Sequence, residues 1–248
     1  MSHLILDIGN TRAKAAIVDN GKVIDRLAAE NPEKLPILSI CKDYAVDAAI
    51  ASVVGAQPDF NKMLPESLMG RFHQLTYRSQ LPIVLDYETP QTLGMDRVAA
   101  ACGARILSPE GALIIVDAGS CITIDLLDND NHFKGGAILP GLNMRFRALH
   151  DYTAALPLVS LDDNERLGTT PFPLAGESTR KSILAGVCKA ATLELEGFAT
   201  EYQRTYPDVK LFLTGGDAYF FAKQLFFPNF ATLDVIYIGL DKILEINL

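Results

Sequence analysis

No run of about 18 consecutive apolar residues occurs in the chain, which excludes a membrane-spanning helix. The stretch from Met1 to Asp7 holds neither a basic region nor a cleavable apolar segment, and it passes directly into a strand-like run. This predicts no signal peptide and a cytoplasmic protein. Cysteine is scarce: Cys41, Cys102, Cys121 and Cys188 stand far apart and form no C-x-x-C pair. A reduced, mostly buried set is expected rather than a disulfide framework. His3, His73, His132 and His150 are equally dispersed, and no zinc-ligand spacing appears. Basic residues are outnumbered, 22 Lys and Arg against 30 Asp and Glu, for a net charge of −8. That balance argues against broad nucleic-acid binding, which needs a basic face. It also means that any anionic substrate must be met by basic groups gathered locally.

What is present suits a mixed α/β protein. The chain has 248 residues, 49% of them hydrophobic, enough for one large core or two moderate ones. Two glycine-containing hairpin signals dominate: Leu4 to Val18, with Asp7-Ile8-Gly9-Asn10-Thr11 at its turn, and Ile114 to Leu127, with Asp117-Ala118-Gly119-Ser120. Each reads as a buried strand, a polar turn and a second strand. Shifted by 110 residues the two superimpose, so the chain reads as an internal duplication with a long period. Pro109-Glu110-Gly111 is the natural break, giving expected domains 1–108 and 109–248. Between these marks, strands are expected at Ala48–Val54, Pro82–Asp86 and Lys210–Thr214. Helices are expected at Asn61–Arg71, Asp96–Leu107, Leu142–His150, Ser178–Tyr206 and about Gly239–Glu245.

Six motifs carry candidate chemistry. In the first turn, glycine opens backbone N–H groups to an anion, Asn10 and Thr11 add donors, and Lys14 adds charge. A carboxylate at the strand end, Asp7, can reach magnesium through water. The second turn repeats the pattern at Asp117 to Ser120. Thr214-Gly215-Gly216-Asp217 follows a strand, where glycines let a flat ligand approach the backbone. Gly94-Met95-Asp96-Arg97 places a proton-accepting carboxylate beside a guanidinium that can fork onto a carboxylate. The same tetrapeptide also fits a helix-capping aspartate beside an exposed arginine. Phe133 to Leu142 holds Gly135-Gly136 and Pro140-Gly141 around a short apolar run, suited to a strand and a sharp turn. Gly176-Glu177-Ser178-Thr179 opens a long helix. The apolar positions on that helix, Ile183, Leu184, Val187, Ala190, Ala191 and Leu195, fit either a core stripe or a dimer surface. Neither G-x-x-x-x-G-K-[ST] nor G-x-G-x-x-G occurs, so a Walker A loop and a Rossmann fingerprint are absent.

Paired Asp-x-Gly hairpins resemble the actin, sugar-kinase and heat-shock ATPase superfamily. The ordered set is more specific. Asp-Ile-Gly-Asn-Thr, Leu-Gly-Met-Asp-Arg, Asp-Ala-Gly-Ser, Gly-Gly-Ala-Ile-Leu-Pro-Gly-Leu and Glu-Ser-Thr, from Leu4 to about Asp217, resembles the type III pantothenate kinase family. The resemblance implies a duplicated actin-like ATPase (ribonuclease H-like) fold, with ATP between the two domains of a homodimer. It implies ATP-dependent phosphorylation of pantothenate to 4′-phosphopantothenate, the first step of coenzyme A biosynthesis. The nucleotide would be held by Asp7, Ile8, Gly9, Asn10, Thr11, Arg12, Ala13 and Lys14, with magnesium near Asp7, and by Ser120. Tyr87, Gly94, Met95, Asp96, Arg97 and Thr179 would contact pantothenate, with Asp96 as proton acceptor. Asp117 would bind a monovalent cation, potassium or ammonium. In the superfamily, a loop such as Thr214 to Asp217 lies near the adenine and ribose. The family usually has threonine then alanine where this chain has Ser120-Cys121, so the hydroxyl is kept and a methyl is lost. Two other readings share much of the pattern: a different small-molecule kinase of the superfamily, and a non-enzymatic transcription accessory factor on the same fold. The Gly-Met-Asp-Arg segment argues against the first, and retention of Asp7, Asp96, Arg97 and Asp117 against the second.

Overall fold

The structure, a computed structural model, describes residues 1–248. Its elements in chain order are β1 (Ser2–Ile8), β2 (Ala13–Asp19), β3 (Lys22–Ala29), α1 (Ile37–Asp43), β4 (Ala48–Val53), α2 (Phe60–Met63), β5 (Phe72–Gln74), β6 (Val84–Leu85) and α3 (Met95–Leu107). There follow β7 (Leu113–Ala118), β8 (Cys121–Leu127), β9 (His132–Pro140), α4 (Leu142–Asp151), α5 (Asp163–Arg166), α6 (Thr179–Leu184), α7 (Ala190–Thr205), β10 (Lys210–Thr214), α8 (Ala218–Gln224), β11 (Asn229–Ala231) and α9 (Val235–Asn247). Contacts divide the chain into two units. The first comprises Met1–Glu110, Asn131–Phe133 and Asp234–Leu248, the second Gly111–Asp130 and Lys134–Leu233.

In the first unit the sheet runs β3-β2-β1-β4-β5. β1 and β4 lie inside it and read as nearly unbroken apolar runs, because strands buried on both faces have no polar side to show. β3 lies at the edge and alternates exposed with half-buried residues. β1 pairs with β2 antiparallel and with β4 parallel, and β4 pairs with β5 parallel.

The second unit repeats the plan. Its strands run β9-β8-β7-β10-β11, with β7 antiparallel to β8 and parallel to β10, and β10 parallel to β11. Strand for strand this is the order of the first unit, so the duplication read from the two hairpins extends through five strands. The first residues of β9 belong to the first unit, where His132 and Phe133 pair with Val84 and Leu85 of β6.

Helix α9 departs from the expected partition. The last fifteen residues, Asp234–Leu248, belong with the first unit rather than with 109–248. Val235, Ile236, Leu240, Ile243 and Leu244 of this helix are buried. Their cover is α3, and the crossing is unusually close: a Cβ built on Gly103 would lie 1.8 Å from the Val235 carbonyl oxygen, and one on Gly239 would lie 1.9 Å from that of Ala99. His3 Nδ1 also lies 2.6 Å from Asp241 Oδ1, both side chains buried, which ties β1 to α9.

Other differences are local. The helix expected over Asn61–Arg71 is broken into α2 and a 3-10 turn, Glu66–Arg71. Pro65 lacks an N–H and disfavours helical backbone at the residue before it; Leu64 accordingly adopts φ −96, ψ 147. The strand expected over Pro82–Asp86 shrinks to Val84–Leu85. The helix expected over Ser178–Tyr206 is continuous from α6 to α7, but through a π-helical turn at Ala185–Lys189. Its apolar stripe is core: Ile183, Leu184, Val187, Ala191 and Leu195 pack inside the second unit and are not available to a partner chain. Three cysteines are buried as expected, and Cys121 is exposed.

Candidate active site

In the first unit the site begins at the β1–β2 hairpin. Asp7 pairs across the strands with Lys14, and Ile8 with Ala13, leaving Gly9 to Arg12 as the turn. The Gly9 N–H donates to the Arg12 carbonyl at 3.0 Å and closes it. Asn10, Thr11 and Arg12 are exposed. Gly55, just past β4, lies against Asn10: a Cβ there would be 2.7 Å from Asn10 Oδ1, and its φ of +97 already favours glycine.

Asp7 is buried, and Lys14 Nζ lies 3.7 Å from its Oδ2. Burial pushes the Asp7 carboxyl up from 3.8 to about 6. Lys14 draws it back down, while the negative charge of Asp96 adds to the rise. Asp7, Lys14 and Asp96 therefore share one electrostatic neighbourhood, although they come from a strand end, the facing strand and a helix start.

Asp96 lies in the first turn of α3, two residues after the N-cap Gly94. Its Oδ1 accepts the Arg97 N–H at 2.9 Å. That bond satisfies one of the open donors of the helix start, so part of the capping interpretation holds, but the cap position itself is glycine. A Cβ on Gly94 would approach Asp96 Oδ1 to 2.5 Å, so the glycine leaves room for this carboxylate. Arg97 is buried, not exposed as a simple capping motif would have it. Its guanidinium carbon lies 5.9 Å from the ring centroid of Tyr87 and 5.9 Å from that of Phe133. The fold thus places Tyr87 beside Arg97, which directly follows Asp96.

Two residues near this cluster were not anticipated. Phe133 stands in the sequence only as the start of a glycine motif. Tyr237, on α9, is buried, and its phenol is pushed up by burial and then by the charges of Asp7 and Asp234. No local pattern marks Tyr237, because α9 reaches Asp7 only through the folding of distant segments.

In the second unit three loops converge. The β7–β8 turn is closed by the Gly119 N–H donating to the Cys121 carbonyl at 2.9 Å, and Ser120 and Cys121 are exposed at its tip. Gly141 packs on this turn. Its N–H donates to the Ser120 carbonyl at 3.2 Å, and a Cβ there would come within 2.4 Å of the Gly119 carbonyl oxygen. Gly215, with φ of +90, packs on the other side, where a Cβ would lie 2.3 Å from Asp117 Oδ1 and 2.5 Å from the Ala118 carbonyl oxygen. The Asp217 N–H donates to that same carbonyl at 2.9 Å. The motifs at Asp117, Pro140-Gly141 and Gly215 to Asp217 are thus one construction. Arg145 braces it, donating Nε to the Pro140 carbonyl at 2.8 Å while its other nitrogens grip Glu194 at 2.9 and 2.6 Å. Thr179 stands apart as the exposed first residue of α6, after the N-cap Ser178.

A profile of the type III pantothenate kinase family matches residues 3–201. The chain is 37% identical to a type III pantothenate kinase of Phocaeicola vulgatus over 246 residues, covering 99% of this chain and 98% of that one. It is 35% identical to one of Flavobacterium johnsoniae, with 96% of each chain covered. Among solved structures it resembles a Baf family transcriptional activator from Campylobacter jejuni (TM-score 0.63, 22% identity, 98% and 97% of the two chains). It also resembles component A of (R)-2-hydroxyglutaryl-CoA dehydratase from Acidaminococcus fermentans (TM-score 0.55, 12% identity, 100% and 96% covered). At these identities the two structures speak for the fold alone.

Proposed function

The chain belongs to the type III pantothenate kinase family, and on that premise we propose that it transfers the γ-phosphoryl group of ATP to the primary alcohol of pantothenate. The product is 4′-phosphopantothenate, the first intermediate of coenzyme A biosynthesis. The observation that carries this reading is the single neighbourhood of Asp7, Lys14 and Asp96, with Arg97 directly following Asp96.

Phosphoryl transfer depends on positioning and charge neutralisation more than on covalent chemistry. The turn from Asp7 to Lys14 supplies backbone N–H groups, the side chains of Asn10, Thr11 and Arg12, and the Lys14 ammonium to the phosphates. Ser120 supplies a hydroxyl to ATP. The Asp7 carboxylate is costly to bury as a charge, and a dication beside it would relieve that cost, so the residue fits magnesium held through water. Magnesium, when bound, neutralises phosphate charge. Asp117, with the Ala118 carbonyl and the Gly215 loop packed around it, offers the oxygen donors that fit a potassium or ammonium ion.

Asp96 accepts the proton of the pantothenate alcohol. Its Oδ1 is held by the Arg97 N–H, and we assign the proton to Oδ2. Arg97 forks onto the substrate carboxylate, and Tyr87, Gly94, Met95 and Thr179 complete the pantothenate contacts. These local basic groups offset the net charge of −8. No helix is long and apolar enough to cross a membrane, and we place the enzyme in the cytoplasm. We also assign it a homodimer. With the long-helix stripe in the core, the partner surface must lie on the outward side, where Met144 of α4 and Leu193 of α7 remain exposed.

The test is direct: purified protein with ATP, magnesium, potassium and pantothenate, assayed for 4′-phosphopantothenate. A folded preparation that leaves pantothenate untouched yet phosphorylates a sugar would overturn the assignment.

A further inference from the structure

We propose that Arg180 and Glu165 are positioning residues for pantothenate, a clasp that fixes the first turn of α6 and with it the hydroxyl of Thr179. The proposal rests on the reading above, in which Thr179 contacts pantothenate.

The first turn of α6 lies outside the core. Thr179, Arg180, Lys181 and Ser182 are all exposed, and burial begins at Ile183 and Leu184. Local bonds give the turn its conformation. The Lys181 N–H donates to Ser178 Oγ at 3.3 Å, the Ser182 N–H to the Ser178 carbonyl at 2.7 Å, and the Ser182 hydroxyl to the Gly176 carbonyl at 3.2 Å. These partners lie within six residues of one another, so they move with the turn. An exposed helix end of this kind frays unless something more distant holds it.

Arg180 supplies the distant hold. Its Nη1 donates to Glu165 Oε1 at 2.9 Å and its Nη2 to Glu165 Oε2 at 2.7 Å, a bidentate fork across fifteen residues of chain. The anchor is itself locked. Glu165 is buried, its Oε2 also accepts the Asp162 N–H at 2.9 Å, and its own N–H donates to Asp162 Oδ1 at 2.8 Å, the capping box of α5. The Arg180 fork holds the Glu165 carboxyl below its ordinary range, so the pair stays ionised at neutral pH. Phosphoryl transfer as derived above gives neither residue a task. Thr179 directly precedes Arg180, so a shift of the fork is a shift of the Thr179 hydroxyl. A pair that served stability alone would favour neither substrate. A positioning pair acts on pantothenate and leaves ATP alone, because a bound geometry is sensitive to small errors of placement.

Steady-state kinetics of Glu165→Gln, Arg180→Lys and Thr179→Val, singly and combined, test this, with circular dichroism as a check on folding. Glu165→Gln retains the α5 cap, since glutamine also serves at that position of a capping box, but it loses the charge that grips the guanidinium. Arg180→Lys keeps the positive charge and loses the fork. Each should raise KM for pantothenate about fivefold, while kcat and KM for ATP change by less than about twofold. In the Thr179→Val background each should add less than about twofold, since its effect passes through Thr179. Should Glu165→Gln fail to fold, Arg180→Lys, at an exposed position, carries the test. Folded clasp variants with unchanged KM for pantothenate overturn the proposal. So does an equal loss in kcat and both KM values, or an undiminished effect in the Thr179→Val background. If Thr179→Val itself leaves KM for pantothenate unchanged, the Thr179 assignment falls and takes the proposal with it. If Thr179→Val raises KM and neither clasp variant does, the role of the clasp alone is lost.

Discussion

Replacing Gly103 by alanine should destabilise the protein, although alanine is the better helix former. The new Cβ would lie 1.8 Å from the Val235 carbonyl oxygen and 2.7 Å from the carbonyl carbon. Both obstacles are backbone, so no side-chain rotation relieves the clash. Restoring even a 3.0 Å contact requires α3 and α9 to part by at least 1.2 Å along that line. A gap of about 0.5–1 Å already forfeits a quarter to a half of a dispersion contact. The buried side chains along the crossing, among them Val98, Cys102, Leu240 and Ile243, would lose packing together. Overpacking of this kind costs about 3 kcal/mol at the upper end of its usual range. Helix propensity returns about 1 kcal/mol. The net loss is about 2 kcal/mol, which for a chain of this size lowers Tm by about 4–8 °C. Thermal melts followed by far-ultraviolet circular dichroism measure it. Gly197, exposed in the interior of α7, is the control: nothing lies within 4 Å of its Cβ position, so Gly197→Ala should raise Tm by about 2–4 °C. A Gly103→Ala protein that melts at or above the parent would refute the close-approach argument.

Four further outcomes are expected. Asp96→Asn keeps size and one hydrogen bond but loses the proton acceptor, so kcat should fall at least about 100-fold with KM for ATP little changed. A folded variant with near-normal kcat would reduce Asp96 to a helix-start ligand. Replacing potassium and ammonium by sodium or a bulky organic cation at matched ionic strength should lower activity, and equal rates in all these salts would remove the Asp117 assignment. Static light scattering at micromolar concentration should report a dimer, with a monomer the contrary result. For Asp7 the sign follows from its raised carboxyl: the protonated form suits the folded state, so its contribution is full below about 4 and is lost as pH rises through about 6. Metal-free Asp7→Asn should therefore melt above the parent at pH 8, by at most about 3 kcal/mol in stability, and the gap should close toward pH 4. A gap that does not change with pH would contradict burial as the cause.

The sequence made the hairpins legible because strand, turn and strand lie within a dozen or so neighbouring residues and occur twice. The Gly94 to Arg97 segment was legible as chemistry for a similar reason: its carboxylate and guanidinium are adjacent. What escaped was set by distance. Nothing near Tyr237 announces Asp7, and nothing in Phe133-Lys134-Gly135 announces Arg97, because those meetings depend on how remote segments pack. Pro65 divides the helix expected over Asn61–Arg71 where its missing N–H predicts. The apolar stripe on the long helix shows the opposite limit. Periodicity reports which side is apolar, and only the fold decides whether core or partner covers it.

The return of α9 to the first unit has a consequence for how the protein is made. Residues 1–110 leave the ribosome ahead of the second unit, yet the helix that lies against α3, β1 and β4 follows it. Until then Gly103 lacks the close cover of Val235, and His3 waits for Asp241. The second unit draws on one nearly continuous stretch and can finish while the first is still open. Chains truncated after Leu233 would keep every motif from Asp7 to Asp217 and still lack a closed first unit. Such products would be prey to proteases rather than weakly active enzymes, which makes the arrival of α9 a quality check on the first unit.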